Sequence, residues 1–307
     1  MCFTLGSSDG NSKRLLIRTF YKHIKGLLPL TAPQLQVASE RCIMKVLFLL
    51  PFLAAAQAAV VPAVDTTAHF HSTVLSAVGP QGKNVTINGV LTYVTLPKKK
   101  FDPTTAVLLL TDVFGLPSPD NLLLADEWAA AGFQTYAPDY LNGDAIATDG
   151  NVTTWIVNHG EAQTTPPLLA VVKALRAKGI TQIAATGYCF GGLYITRLVQ
   201  NNTVEVGTMA HPSFLNVPTD IELIKAQSHI PVEINNAQLD TGFTPAVAVQ
   251  TDAVLGDGQY LPGYFRRQFD GVAHGFAVRA NASDPVQVAA KQGAFDTSLG
   301  WFKAHLK

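Results

Sequence analysis

Strand-like and helix-like stretches alternate along residues 90–305, and no other feature limits the fold of this chain as much. Residues 90–96 read as a strand with partial alternation of apolar and polar side chains. Residues 106–113 are an apolar run of the kind found in strands buried on both faces. Helical spacing over 121–131 stops at Gly132, a strong C-terminal signal. A short strand at 133–137 is closed by Pro138, and a helix over 167–178 is followed by Gly179. Strands at 182–186, 204–210, 232–236 and 265–269 then alternate with helices at 191–200, 245–255 and 284–305. This order predicts a mostly parallel, doubly wound α/β sheet with helices on both faces. In such sheets the reactive groups gather at the carboxyl ends of the strands.

Composition supports one large buried core. Of the 307 residues, 48% are hydrophobic and 14% charged, the reverse of a disordered chain. The formal net charge is zero, so no global field favours nucleic acid or an anionic membrane, and neither is an expected partner. Lys98-Lys99-Lys100, between Pro97 and Pro103, reads as a solvated loop.

The N-terminus differs from the rest. Residues 1–43 show no clean period and read as an upstream extension. Met44-Lys45 opens an apolar run over 46–56 that ends in Ala54-Ala55-Ala56-Gln57-Ala58. A basic start, a short apolar stretch and small residues at the end make a signal peptide over 44–58, with cleavage near Ala58 or Ala59. The run is too short for a membrane-spanning helix, which needs about 20 apolar residues. A buried core helix is the competing reading. The mature chain, 59–307, is then a single secreted domain. Four Asn-x-Ser/Thr sequons, at Asn84, Asn151, Asn201 and Asn281, are candidate glycosylation sites. Of three cysteines, Cys2 and Cys42 precede the cleavage site, which leaves Cys189 without an internal partner.

Cys189 is also the centre of the sharpest motif. The strand 182–186 runs into Gly187-Tyr188-Cys189-Phe190-Gly191-Gly192 and then a helix. This is the Gly-x-nucleophile-x-Gly elbow with cysteine in place of serine. A tight strand-to-helix turn lifts the nucleophile above the sheet at a helix N-terminus, where the dipole and free N–H groups favour a thiolate. The Phe190 N–H can meet a developing oxyanion, and the loop at Val113 or Phe114 offers a second donor. A buried structural cysteine beside packing glycines is the alternative.

A thiol needs a base, and His274 follows the last strand in Ala273-His274-Gly275-Phe276. The order nucleophile, acid, base places the acid after strand 232–236, where Asp240 stands; Asp252 and Asp257 fit less well. His211 also ends a strand but comes too early for this order, so a pocket-lining or structural role suits it better. His69, His71, His159, His229 and His305 read as surface or capping residues. Asp112 at the end of an apolar run is a costly carboxylate unless paired or functional. Arg279 could bind a substrate carboxylate or form a surface salt bridge.

In these residues the chain resembles the dienelactone hydrolase family of the α/β-hydrolase superfamily. The motifs are Leu110-Thr111-Asp112-Val113-Phe114-Gly115, then Ala131-Gly132-Phe133 through Ala137-Pro138-Asp139-Tyr140, the Cys189 elbow, and Ala273-His274-Gly275-Phe276. They span roughly residues 85–307, and the elbow is the most specific of them. The resemblance implies a Cys189–His274–Asp240 triad, no metal or organic cofactor, and hydrolysis of a lactone or ester through an acyl-enzyme. It also makes Phe114, Tyr188, His211 and Phe276 substrate-pocket candidates. Bacterial members usually carry Glu at the position of Asp112, where it contacts the resting thiol. Arg279 lies one residue from the family's carboxylate-binding Arg, and the family's second Arg has no match. The family's intracellular role in chloroaromatic degradation is therefore not carried over. The expectation is hydrolysis of a small ester or lactone, with a related carboxylesterase or thioesterase reaction, or a non-catalytic binding protein of the same fold, as alternatives.

Overall fold

The computed structural model describes residues 78–307, all of which lie within one compact unit, Val60–Lys307. The expected extension at 1–43 and signal peptide at 44–58 lie outside the described residues, as do Cys2, Cys42, His69 and His71.

The first two strands form a hairpin. β1 (Lys83–Ile87) pairs antiparallel with β2 (Val90–Thr95) in a register that sets Ile87 opposite Val90. Only Asn88 and Gly89 lie between them, with φ of 49° and 84°, the two positive values a tight hairpin of this hand requires. β1 was not expected from the sequence, although Asn-Gly is a strong short-range hairpin signal.

The remaining elements follow the expected alternation. They are β3 (Thr105–Leu110), α1 (Pro119–Ala130), β4 (Gln134–Pro138), α2 (Val152–Trp155), α3 (Glu161–Ala177), β5 (Gln182–Tyr188) and α4 (Phe190–Gln200). Then come β6 (Val206–Ala210), α5 (Thr219–Gln227), β7 (Val232–Ala237), α6 (Pro245–Leu255), β8 (Tyr264–Phe269) and α7 (Pro285–His305). The sheet order is β1-β2-β4-β3-β5-β6-β7-β8. β2 is antiparallel to β4, and every later neighbour pair is parallel.

Helices cover both faces. Leu168 and Leu175 of α3, Ile195 and Leu198 of α4, and Ile221 of α5 join one apolar cluster with Leu108, Ile183 and Ile234. Leu124 and Trp128 of α1 and Ala294 and Phe302 of α7 join the other, with Val107, Leu109 and Val206. Burial on both faces explains why β3 reads as an unbroken apolar run. Among the described residues no helix is long and apolar enough to cross a membrane.

Several elements differ from expectation, among them the short helix α2, which was not foreseen. β3 ends at Leu110, so Thr111, Asp112 and Val113 belong to the loop at the carboxyl edge. α3 begins at Glu161, six residues before the expected start, and carries Pro166 and Pro167 inside it. Proline is commonest in the first turn, which made Pro167 look like a beginning. α5 was not foreseen; its turns bury only Asp220, Ile221 and Ile224, too few for a visible period.

Candidate active site

β5 ends at Tyr188 and α4 begins at Phe190, so the strand turns into the helix through Cys189 alone. Cys189 takes φ 53° and ψ −112°, a conformation few side chains adopt. The turn closes because its flanks lack side chains. A Cβ on Gly187 would lie 2.5 Å from the Gly191 carbonyl oxygen, and one on Gly191 would strike the Leu110 carbonyl. Backbone cannot yield as a flexible side chain can, so Gly191→Ala should cost about 3 kcal/mol of stability in urea unfolding. A loss under about 1 kcal/mol would show that β3 and α4 move apart easily.

The sulfur stands 3.4 Å from the Ser213 hydroxyl, which stands 3.4 Å from His274 Nε2. On the far side of the ring, His274 Nδ1 lies 2.9 Å from Asp240 Oδ2. An ionised carboxylate only accepts, so Nδ1 carries the proton and Nε2 faces Ser213 and the thiol. The structure thus brings Cys189, His274 and Asp240 together at the carboxyl ends of β5, β7 and β8.

Asp240 is held by more than the histidine. Its Oδ1 accepts from the N–H groups of Gly242 at 2.7 Å and Phe243 at 3.2 Å. Burial opposes its charge, but His274 and these donors outweigh burial and keep the carboxyl below its usual range. Burial likewise opposes charge on His274. Asp240 and, once it is ionised, the Cys189 sulfur overcome it and raise the imidazole above its ordinary range, so the ring keeps the proton that the thiol gives up.

Two oxyanion donors were expected. Phe190 is the first residue of α4, and the first N–H groups of a helix have no acceptor within it. For the second, sequence left Val113 or Phe114 open. The Phe114 N–H donates to Asp112 Oδ1 at 3.0 Å, which leaves Val113 as the candidate.

Asp112 is fully buried. Its Oδ1 also accepts from Asn121 Nδ2 at 2.8 Å, and its Oδ2 is paired with the Arg279 guanidinium. The two ionic candidates therefore engage each other. Arg279 is neither a lone pocket cation nor a partner in a wholly exposed salt bridge, because its counter-ion is buried. Its guanidinium also lies over the Phe114 ring, 4.7 Å from the centroid.

The other expected pocket residues divide. His211 is completely buried, and its ring meets that of His274 edge to face at 4.8 Å between centroids. Phe276 backs His211 at 5.5 Å from within the core. Burial, then the neighbouring His274, holds His211 well below the usual histidine range, so it stays neutral. Tyr188 is also buried, its ring 6.3 Å from that of His211. It packs in the core on the α1 and α7 side, near Trp128 and Thr186, where burial pushes its hydroxyl up to about 12. His159, expected at the surface, is buried and stacked on Trp155 at 3.7 Å. His229 is exposed and His305 half-buried. The four sequon asparagines are all exposed.

Ser213 was missed, as was exposed Phe214, whose ring lies 6.1 Å from Phe190. Their signal was position. His211-Pro212-Ser213 follows β6, the neighbour of the elbow strand, at the same sheet edge. Among the described residues no cluster of histidine, cysteine, aspartate and glutamate could hold a metal ion.

A model of the dienelactone hydrolase family matches residues 90–306. Hydrolase pyvD of Aspergillus violaceofuscus is 31% identical over 232 residues, covering 74% of this chain and 91% of its own. Dienlactone hydrolase 1 of Gibberella moniliformis is 29% identical, over 72% of this chain and 87% of its own. Among solved structures, a dienelactone hydrolase-like promiscuous phosphotriesterase from metagenomic libraries shares the fold. It has a TM-score of 0.57 and 15% identity, over 75% of this chain and 100% of that one.

Proposed function

The chain belongs to the dienelactone hydrolase family of hydrolases, and from that premise we propose that it cleaves small ester or lactone substrates through an acyl-enzyme on Cys189. The observation that carries the reading is the one-residue elbow. It sets a thiol at a helix N-terminus, within one hydroxyl of an imidazole that Asp240 orients.

The thiol proton passes to His274 Nε2, and the thiolate attacks the substrate carbonyl carbon. The carbonyl oxygen gathers charge against the N–H groups of Phe190 and Val113. The leaving oxygen takes the proton from the imidazolium, and a thioester remains on Cys189. Water, deprotonated by His274, then releases the acid. Asp240 keeps Nδ1 protonated and the ring in place throughout.

The commitment of Arg279 to Asp112 supports uncharged acyl groups over carboxylate-bearing ones, since a new anion would have to displace a buried counter-ion. Exposed sequons and the residues 44–58 support a secreted, glycosylated protein.

The test uses a slowly deacylating p-nitrophenyl ester. A burst of p-nitrophenol equimolar with protein is expected, with the acyl mass on the peptide containing Cys189. A protein with no burst, no turnover of esters or lactones, and a thiol inert to iodoacetamide would be a binding protein on this fold.

A further inference from the structure

The segment after β6 is strained and pinned to the elbow. His211 and Phe214 both have positive φ, 39° and 62°, which is costly for side chains of this size. Pro212 packs so tightly on Gly192 that a Cβ there would lie 2.6 Å from it. The Ser213 N–H donates to the Cys189 carbonyl at 3.0 Å, and the Cys189 N–H donates to the Ala210 carbonyl at 3.1 Å. The loop and the elbow therefore fix one another through the backbone of Cys189. Strain of this kind persists only where the surroundings impose it, and here it sets one hydroxyl 3.4 Å from both the sulfur and the imidazole, beside their direct contact.

From this geometry we propose that Ser213 is a positioning residue that relays the proton from the Cys189 thiol to His274. The inference rests on Cys189 being the nucleophile. In the step, the S–H bond breaks and its proton goes to Ser213 Oγ. The original hydroxyl proton leaves Oγ for His274 Nε2. Ser213 ends as it began, and a neutral thiol and imidazole have become a thiolate and an imidazolium. The separation of 3.4 Å to Nε2 is long for O–H···N, and the relay requires it to shorten as substrate is engaged. The groups facing this bridge are Asp240 behind His274, neutral His211 beneath it, and Tyr140 and the Asp112–Arg279 pair on the side of the sulfur.

The test compares the parent with Ser213→Ala, Ser213→Thr and Cys189→Ala, each checked for a native melting curve. Alkylation of Cys189 by iodoacetamide is followed from pH 5 to 10, and ester acylation is followed in mixtures of H2O and D2O. Ser213→Ala should slow acylation roughly 10- to 100-fold with KM nearly unchanged, while alkylation, which reads the thiolate population that a relay leaves alone, should keep the parent's pH profile. Two protons in flight make the parent's dependence on deuterium fraction curved, and Ser213→Ala should make it linear. Ser213→Thr, which keeps the hydroxyl, should restore most of the rate and the curvature. A curved deuterium dependence that persists in Ser213→Ala, or a Ser213→Thr as slow as Ser213→Ala, overturns the relay. If Cys189→Ala turns over at the parent rate, the nucleophile assignment itself fails. If Cys189→Ala is dead and Ser213→Ala is normal, only the relay fails.

Discussion

Cys189→Ala should lower kcat/KM on short p-nitrophenyl esters by roughly 10³-fold or more while leaving the fold intact. The substitution removes one sulfur at a position 8% exposed, so little packing is lost. The Phe190 and Val113 N–H groups, His274 and Asp240 stay in place, and they alone account for residual turnover. Cys189→Ser keeps the geometry but presents a hydroxyl that ionises far less readily than a thiol, so it too should fall well below the parent. Parallel kinetics and thermal melts check both points. A Cys189→Ala protein that retains half the parent rate places the nucleophile elsewhere.

The second large effect lies behind the elbow. Thr186, Thr208 and Glu233 stand side by side across β5, β6 and β7. Glu233 is fully buried. Its Oε2 accepts from Ser298 of α7 at 2.7 Å, and its Oε1 finds no partner. Burial pushes this carboxyl from 4.5 up to about 8. The folded state therefore holds a proton that the unfolded chain releases near 4.5. That binding stabilises the fold fully below about pH 4.5 and is lost as pH rises through about 8. At 1.36 kcal/mol per pH unit between 4.5 and about 8, the ceiling is about 5 kcal/mol, and relaxation around the charge will lower it. Glu233→Gln has no proton to lose, and its amide can donate to Thr208 Oγ1 or Asn235 Oδ1, both without a partner. At pH 9 the variant should be more stable than the parent by about 2 kcal/mol or more, with the gap closing toward pH 5. Melting both proteins at pH 5, 7 and 9 decides it, and a constant gap would mean that Glu233 is ionised or hydrated in the native state.

Much of this architecture is legible in the chain because two periodicities and one elbow carry it. The parallel strands β3 and β5 and the helices after them bury faces that leave an apolar record, so their existence and order follow from residue types. Cys189, Asp240 and His274 are legible for another reason: each follows a strand within a few residues, and chain order assigns its place. What stays hidden depends on contacts between distant segments. Asp112 and Arg279 look like separate candidates because 167 residues part them and only the folded sheet edge pairs them. Ser213 carries no local signature, and its place becomes visible only when β6 is known to lie beside β5. Glu233 could have been noticed, since a carboxylate inside a strand between Val232 and Ile234 contradicts its surroundings.

The backbone at Cys189 also limits how this site can evolve. With φ at 53° and ψ at −112°, the turn accepts a side chain with a single heavy atom on Cβ but penalises a second. Cysteine and serine can replace one another there by a single nucleotide change without redrawing the turn. Threonine, chemically as close to serine, is shut out by its methyl group. A lineage built on this elbow can therefore drift between thiol and hydroxyl chemistry, yet it has no route to a threonine nucleophile that leaves the strand and helix where they are.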